Sequence, residues 1–243
     1  MNLVLFETEE LAAPLPLADP RAQHVLKVLR RTPGDTFVAG LVNGSLGEAT
    51  LQTIGADALT LTFKPKRQPP PLPPVTLIVG LPRPQTARDV LRDATTLGVS
   101  AIHFVVTERA DPNYATATLW PSGEWRRHIL AGAAQACDTR LPKIAWTETL
   151  AEALARLPAT VSLRRLALDN YEASVPLADA LRADPCPATV LAFGPERGWG
   201  QADREALRAA GFTLCSLGQR VLRLETAVTA ALALTQGLAT GAA

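Results

Sequence analysis

Apolar and polar residues alternate through the opening stretch of the chain. Asp35 to Val42 and Ser45 to Gln52 flank the dipeptide Asn43-Gly44, and Ala58 to Phe63 (Ala-Leu-Thr-Leu-Thr-Phe) repeats the alternation. A period of two belongs to a half-buried strand, and Asn-Gly between two such runs favours a type I′ hairpin turn. One segment has a helical period instead. Asp19 to Arg31 carries His24, Lys27, Arg30 and Arg31 beside apolar Val25, Leu26, Val28 and Leu29. Helical spacing puts His24, Lys27 and Arg31 on one side, either as contacts to a nucleic-acid backbone or as the solvated face of a small barrel. Residues 1–63 therefore read as β-rich with a single helix.

The pattern stops at Lys64-Pro65-Lys66-Arg67-Gln68-Pro69-Pro70-Pro71-Leu72-Pro73-Pro74, where six prolines fall in eleven residues. Such a run resists both sheet ladders and helices and favours a stiff extended spacer. We divide the chain there, into residues 1–64, a linker over 65–74 and a second domain over 75–243. The basic triplet of the linker is either an RNA contact or a solubilising charge.

After the linker, strands alternate with helices. Val75 to Leu81, Val99 to Val106, Leu163 to Leu168, Ala188 to Phe193 and Thr213 to Leu217 are apolar runs of strand length. Between and after them, Gln85 to Leu97, Glu124 to Cys137, Leu177 to Ala183, Gln201 to Ala210 and Glu225 to Leu238 have helical periodicity. The stretch after Cys137 reads as a turn through Pro142. This rhythm predicts an α/β domain with a mostly parallel sheet covered by helices on both faces. The last helix is apolar nearly all round, so it is a core helix or one side of an interface.

Two strand-to-helix loops carry glycines. One is Gly194-Pro195-Glu196-Arg197-Gly198-Trp199-Gly200, and the other contains Gly218, Arg220 and Arg223 ahead of the last helix. Glycine-bearing loops from neighbouring strands define a ligand crevice at the carboxyl edge of such a sheet. The orphan N–H groups of the following helix make the second loop receptive to carboxylate or phosphate.

Composition narrows the chemistry. Of 243 residues, 47% are apolar and 19% charged, as in an ordinary globular protein with room for a substantial core. No apolar run is long enough to span a bilayer, and Met1 to Glu7 turns acidic without a basic leader, so neither a membrane span nor a signal peptide is expected. Cys137, Cys186 and Cys215 are odd in number and widely spaced, and His24, His103 and His128 are scattered. They read as reduced thiols of a cytoplasmic protein with no metal site. The net charge of +1 does not announce a polyanion partner. Twenty of the 24 basic residues are arginine, which we read as a composition bias; the positions of individual arginines are the informative part.

The first loop after the linker, Gly80-Leu81-Pro82-Arg83-Pro84-Gln85, has neither Gly-x-Gly-x-x-Gly nor a Walker sequence. Dinucleotide-binding, common Rossmann methyltransferase and nucleoside-triphosphatase sites are thereby disfavoured. The glycine loops sit late instead. Gly194-Pro195-Glu196-Arg197-Gly198 followed by Leu217-Gly218-Gln219-Arg220-Val221-Leu222-Arg223-Leu224-Glu225-Thr226-Ala227 resembles the paired signature of the 16S ribosomal RNA uridine-N3 methyltransferases, a SPOUT-class family. His24-Val25-Leu26-Lys27-Val28-Leu29-Arg30 resembles a segment of that family's N-terminal domain, and Gln135, Arg140 and Pro142 fall in a further family-like stretch, Ala131 to Ile144. The likeness covers essentially the whole chain. Arg197 stands where Gly-Pro-Glu-Gly-Gly is usual, and Asp93-Ala94-Thr95-Thr96-Leu97-Gly98 lacks the acidic Glu-Leu-Gly pattern, which marks a divergent member.

The resemblance implies an N-terminal PUA-like β-barrel, a C-terminal SPOUT domain tied in a trefoil knot, and a homodimer. It also implies S-adenosyl-L-methionine as cofactor and 16S rRNA or the small ribosomal subunit as partner. Cofactor contacts are expected at Leu168, Phe193, Gly194, Pro195, Glu196, Gly198, Leu217, Gly218, Val221, Leu222, Thr226 and Ala227. Of these, the glycines permit close backbone approach, and Leu217, Val221 and Leu222 offer adenine an apolar slot. RNA contacts are expected at His24, Lys27, Arg30, Arg31, Arg83, Arg197 and Arg220, with Arg197 or Arg220 alternatively holding the methionine carboxylate. Methylating N3 of uracil removes a ring proton and leaves negative charge over two carbonyl oxygens, so a cation and a base are needed. Arg223 is the candidate cation. Glu225 or Glu196 is the candidate base, unless each merely braces its loop. Two rivals remain open: methylation of another rRNA or tRNA position, and an RNA-binding assembly module without turnover.

Overall fold

The computed structural model describes residues 3–158, 162–183, 186 and 188–240, and the side chains of residues 239 and 240 lie outside the description. The chain divides into two compact units, Met1–Pro71 with Ala133–Leu141, and Leu72–Gly132 with Pro142–Ala243.

In the first unit, β1 (Val4–Phe6), β2 (Leu15–Pro16), β3 (Thr36–Leu41), β4 (Leu46–Ile54) and β5 (Ala58–Arg67) form one mixed sheet in the order β1-β3-β4-β5-β2. The β1–β3 pair is parallel and the other pairs are antiparallel. Alternation does what the sequence predicts in β4, where Gly47, Ala49 and Leu51 point inward. Ala49 and Leu51 join Phe6, Val25, Phe37 and Leu59 in one apolar core.

Three expectations are corrected here. The Asn43-Gly44 hairpin is not a type I′ turn, because only Asn43 has a positive φ, at 56°. The 133–141 segment takes over the loop instead. Asn43 N–H donates to Thr139 O at 2.7 Å, Thr139 Oγ1 donates to Gly44 O at 2.6 Å, and Leu141 N–H donates to Asn43 Oδ1 at 2.9 Å. The helix expected over Asp19 to Arg31 is shorter and changes pitch. α1 (Pro20–Gln23) widens into a π-helical turn over His24–Val28, and Arg30 sits at φ 53°. A π turn has more residues per turn than an α-helix, so His24, Lys27 and Arg31 do not share one 3.6-residue stripe. Finally, β5 continues through Lys64, Pro65, Lys66 and Arg67, so the ladder enters the proline-rich stretch. Pro65 is tolerated because it pairs with Gly47 beside a register shift. A β-carbon on Gly47 would lie 2.2 Å from Lys64 O.

The second unit contains β6 (Val75–Gly80), α2 (Pro84–Leu97), β7 (Ala101–Val106), most of α3 (Glu124–Ala136), β8 (Lys143–Thr149), α4 (Leu150–Ala155), β9 (Leu163–Leu168), β10 (Val175–Pro176), α5 (Leu177–Ala183), β11 (Ala188–Phe193), α6 (Gln201–Ala209), β12 (Thr213–Ser216) and α7 (Leu224–Thr240). Its seven strands are all parallel, in the order β10-β12-β9-β11-β6-β7-β8. Central strands buried on both faces read as continuous apolar runs, which is why β6 and β11 are legible in the sequence.

The turn expected around Pro142 is followed by a strand and a helix that the periodicity does not show. β8 slips register against β7 between His103 and Val105, which breaks its alternation. Trp146 on β8 lies parallel to Trp120, ring centroids 5.4 Å apart. α4 then starts on a reciprocal cap between Thr149 and Glu152. The last helix buries Val228, Ala231, Leu232 and Thr235 within its own unit, and Gln236 Nε2 donates to Gly98 O at 3.2 Å at the end of α2. That face of α7 is core. Leu234, 38% exposed, is on the other.

Candidate functional site

The site follows from the strand order. β9 lies between β12 and β11, and Leu168 is in register with Cys215 on one side and Phe193 on the other. Three loops therefore leave adjacent strands at the same level of the carboxyl edge. They enclose a cavity of about 220 Å³. From β9 come Leu168, Asp169, Asn170 and Tyr171; from β11 come Phe193, Gly194, Pro195, Glu196, Arg197, Gly198 and Trp199. From β12 and the start of α7 come Cys215, Leu217, Val221, Leu222, Leu224 and Ala227.

Each loop is fixed by identifiable contacts. The Gly194–Gly200 loop folds back on itself: a β-carbon on Gly194 would lie 2.9 Å from Trp199 N, Gly198 has φ 71°, and Gly198 N–H donates to Pro195 O at 2.7 Å. Below it, Gly80 leaves room for Pro195, whose Cδ would be 2.4 Å from any β-carbon there. Trp199 is buried, and its Nε1–H donates to Leu168 O at 3.0 Å, tying this loop to the one from β9. Asp203 accepts from Gly200 N–H at 2.9 Å and from Glu108 N–H at 3.2 Å, and Glu108 Oε2 accepts from Ala202 N–H at 3.1 Å. These carboxylates satisfy orphan donors at the start of α6.

Asp169 organises the β9 loop. Its Oδ1 accepts from Tyr171 N–H and Glu172 N–H, both at 2.6 Å, and its Oδ2 accepts from Arg204 Nε–H at 2.7 Å. Burial by itself pushes this carboxyl up, but hydrogen bonds from Glu172 N–H, Arg204 and Tyr171 N–H outweigh it and hold Asp169 below the usual carboxylate range. The Arg204 guanidinium lies 5.7 Å from the centre of the Tyr171 ring. Tyr171 itself is 75% exposed at the rim, as is Val221 on the opposite loop. Cys215 forms part of the cavity wall, and burial raises its thiol to about 11, so it stays protonated at neutral pH.

Most residues expected at a cofactor site line this one cavity: Leu168, Phe193, Gly194, Pro195, Glu196, Gly198, Leu217, Val221, Leu222 and Ala227. Gly218 and Thr226 do not. Gly218 has φ 113° and open space where a β-carbon would stand, and Thr226 is exposed on the first turn of α7. Arg197, expected to face RNA, lines the cavity as well. Arg220 and Arg223 are exposed on the loop that supplies Val221 and Leu222, outside the cavity lining, and Glu225 is half-buried just beyond it. Glu196 Oε1 accepts from Arg83 N–H at 3.0 Å, at the N-terminus of α2. One of its oxygens is thus committed to bracing.

In the first unit, Lys27 and Arg30 are exposed while His24 and Arg31 are half-buried. The buried His24 Nε2 and Arg31 Nε have no hydrogen-bond partner there. Sequence reasoning missed Asp169, Asn170, Tyr171, Trp199, Cys215 and Leu224. The available signal was the polar Asp-Asn pair ending the β9 run, but its relevance depends on strand order. Among the described residues no group of three or more His, Cys, Asp or Glu can hold a metal ion, and no helix is long and apolar enough to cross a membrane.

Comparison with known proteins adds the family. Residues 68–236 match the RNA methyltransferase domain family. The chain is 35% identical to the ribosomal RNA small subunit methyltransferase E of Treponema pallidum (strain Nichols), covering 96% of this chain and 90% of that protein. Among solved structures, the ribosomal RNA small subunit methyltransferase E of Neisseria gonorrhoeae bound to S-adenosyl methionine superposes with TM-score 0.74 at 26% identity, over 98% of each chain. A probable rRNA-methyltransferase of Porphyromonas gingivalis shares the fold, with TM-score 0.79 at 20% identity over 100% of each chain.

Proposed function

The chain belongs to the ribosomal RNA small subunit methyltransferase E family, and from that membership we propose that it methylates N3 of a uridine in 16S ribosomal RNA with S-adenosyl-L-methionine as cofactor. The observation that carries the reading is the convergence of the Gly194–Gly200 and Leu217–Arg223 loops on one cavity.

The residues present fit this cofactor. Phe193, Leu217, Val221 and Leu222 make an apolar slot for a purine, and the tightly folded Gly194 and Gly198 backbone lines it. Bound S-adenosylmethionine supplies a methyl group on a positively charged sulfonium. The chain's own part is to bind uridine, remove its N3 proton and stabilise the charge left behind. Arg223 offsets the negative charge that develops on O2 and O4 of uracil. Glu225 accepts the N3 proton, since Glu196 has an oxygen engaged by Arg83 N–H. Arg83, Arg197 and Arg220 hold RNA phosphates around the opening, and His24, Lys27, Arg30 and Arg31 contact RNA from the first unit. Gly218 and Thr226 act from outside the cavity wall, by setting the course of the loop and of the first turn of α7.

The same reading makes the first unit a PUA-like RNA-binding barrel and the second a SPOUT domain with a trefoil knot, working as a cytoplasmic homodimer. Supporting it are the sequence likeness over the whole chain and the placement of β12 beyond β9.

The test is methyl transfer to small ribosomal subunits and to free 16S rRNA, read by mass mapping of nucleosides. N3-methyluridine is the expected product. A ribose-methylated nucleoside, or a methyl group on another base, replaces the N3 assignment. Failure of the protein to bind S-adenosylhomocysteine, together with no transfer to any RNA, overturns the enzyme.

A further inference from the structure

Several arginines of the second unit are paired with a carboxylate: Arg88 with Glu124 at 2.7 Å, Arg182 with Asp179 at 3.2 Å, and Arg204 with the cavity-lining Asp169 at 2.7 Å. Arg83, Arg109, Arg197, Arg220 and Arg223 form no ion pair among the described residues. They sit on the loops after β6, β7, β11 and β12, whose last two members enclose the cavity. Like charges left unneutralised around one opening repel each other, and an anion there relieves the repulsion.

Arg109 has a second property. Its Nη1–H donates to Arg197 O at 3.2 Å, so its guanidinium is anchored to the loop that forms one cavity wall. No other protein partner occupies the fork among the described residues. The neighbouring carboxylates are used on backbone donors. Glu108 accepts from Ala202 N–H, Asp203 from Gly200 N–H and Glu108 N–H, and Glu196 from Arg83 N–H. A pre-positioned, uncompensated guanidinium fork suits bidentate contact with phosphate.

We propose that Arg109, together with Arg197, clamps a backbone phosphate of the RNA strand at the mouth of the cavity, and that the clamp braces the cavity loop while RNA is bound. This rests on the RNA methyltransferase reading above and adds a phosphate contact on the β7 side, which the sequence motifs do not mark. Binding of an unstructured RNA oligonucleotide is measured as a function of salt for wild type, Arg109→Ala, Arg109→Lys and Arg182→Ala, each checked for an unchanged melting temperature. Each phosphate contact to single-stranded nucleic acid contributes about 0.7 to the slope of log K against log salt. Arg109→Ala is expected to lower that slope by about 0.7, Arg109→Lys to keep it by retaining the charge, and Arg182→Ala to leave it unchanged. An unaltered slope in Arg109→Ala overturns the clamp while leaving the enzyme reading intact. The clamp is also overturned if the slope stays fixed while S-adenosylhomocysteine binding without RNA falls tenfold, because Arg109 then serves the cofactor's carboxylate. Wild type that binds S-adenosylhomocysteine but no RNA removes both the clamp and the RNA substrate.

Discussion

Asp169 shows how much one side chain decides at this site. It is buried, accepts two backbone N–H groups and pairs with the buried Arg204 guanidinium. A buried ion pair contributes little beyond an apolar replacement, but removing one partner strands the other. Asp169→Ala is therefore expected to cost about 3–5 kcal/mol in urea denaturation. The lower end is favoured because Glu172 stands 3.7 Å from Arg204 and takes up part of the charge. The pH dependence has a fixed sign. A carboxyl whose folded pKa is depressed contributes stability that is complete above its unfolded value and is lost as pH falls through the folded one. For Asp169 the unfolded reference is 3.8. Asp169→Asn should remove part of the acid sensitivity below about pH 4 and leave the pH profile above it unchanged. A wild-type and Asn variant with parallel stability curves from pH 2 to pH 4 would show that Asp169 is not the group responsible.

At the scale of elements, the glycines next to apolar runs are what made the site legible. Gly80 and Gly194 mark places where backbones nearly touch, and Gly80→Val illustrates the consequence. Its β-carbon would meet Pro195 N at 2.6 Å and Pro195 Cδ at 2.4 Å, so backbone on β6 or on the cavity loop must move. Overpacking of this kind costs about 1–3 kcal/mol. S-adenosylhomocysteine affinity in a calorimetric titration should fall by about tenfold or more, since that corresponds to about 1.4 kcal/mol. What stayed illegible has physical causes. Asp169, Asn170 and Tyr171 carry no glycine, and they matter because β9 is flanked by β11 and β12, a long-range pairing that no local pattern encodes. β8 was hidden by its register shift, the true length of the basic helix by a π turn that changes its period, and the reach of β5 by a proline that Gly47 accommodates. By contrast, β9, β11 and α5 have the limits their apolar runs predict, because both faces of the strands and one face of the helix are covered.

For the whole molecule, the important fact is that the first unit is not continuous in sequence. Ala133–Leu141 belongs to it, although Leu72–Gly132 of the second unit lies between. That segment supplies partners for Asn43 and Gly44 and fills the space over Gly40, where a β-carbon would stand 2.4 Å from Thr139 Cγ2. A fragment ending at Pro71 loses all of these contacts. It should melt well below the full chain and with a shallower transition by circular dichroism, and addition of a peptide spanning 133–141 should raise its melting temperature. A fragment as stable and cooperative as the full-length first unit would show that the returning segment is dispensable.

The order β12-β9-β11 also sets a schedule. The walls arise in chain order: Leu168 to Tyr171 first, then Phe193 to Trp199, and last Cys215 to Ala227. A nascent chain that has not yet released those residues has a trough rather than a chamber. Methyl-donor capture therefore waits for the third wall, and a product cut before Leu217 lacks the side of the cavity that Leu217, Val221 and Leu222 supply.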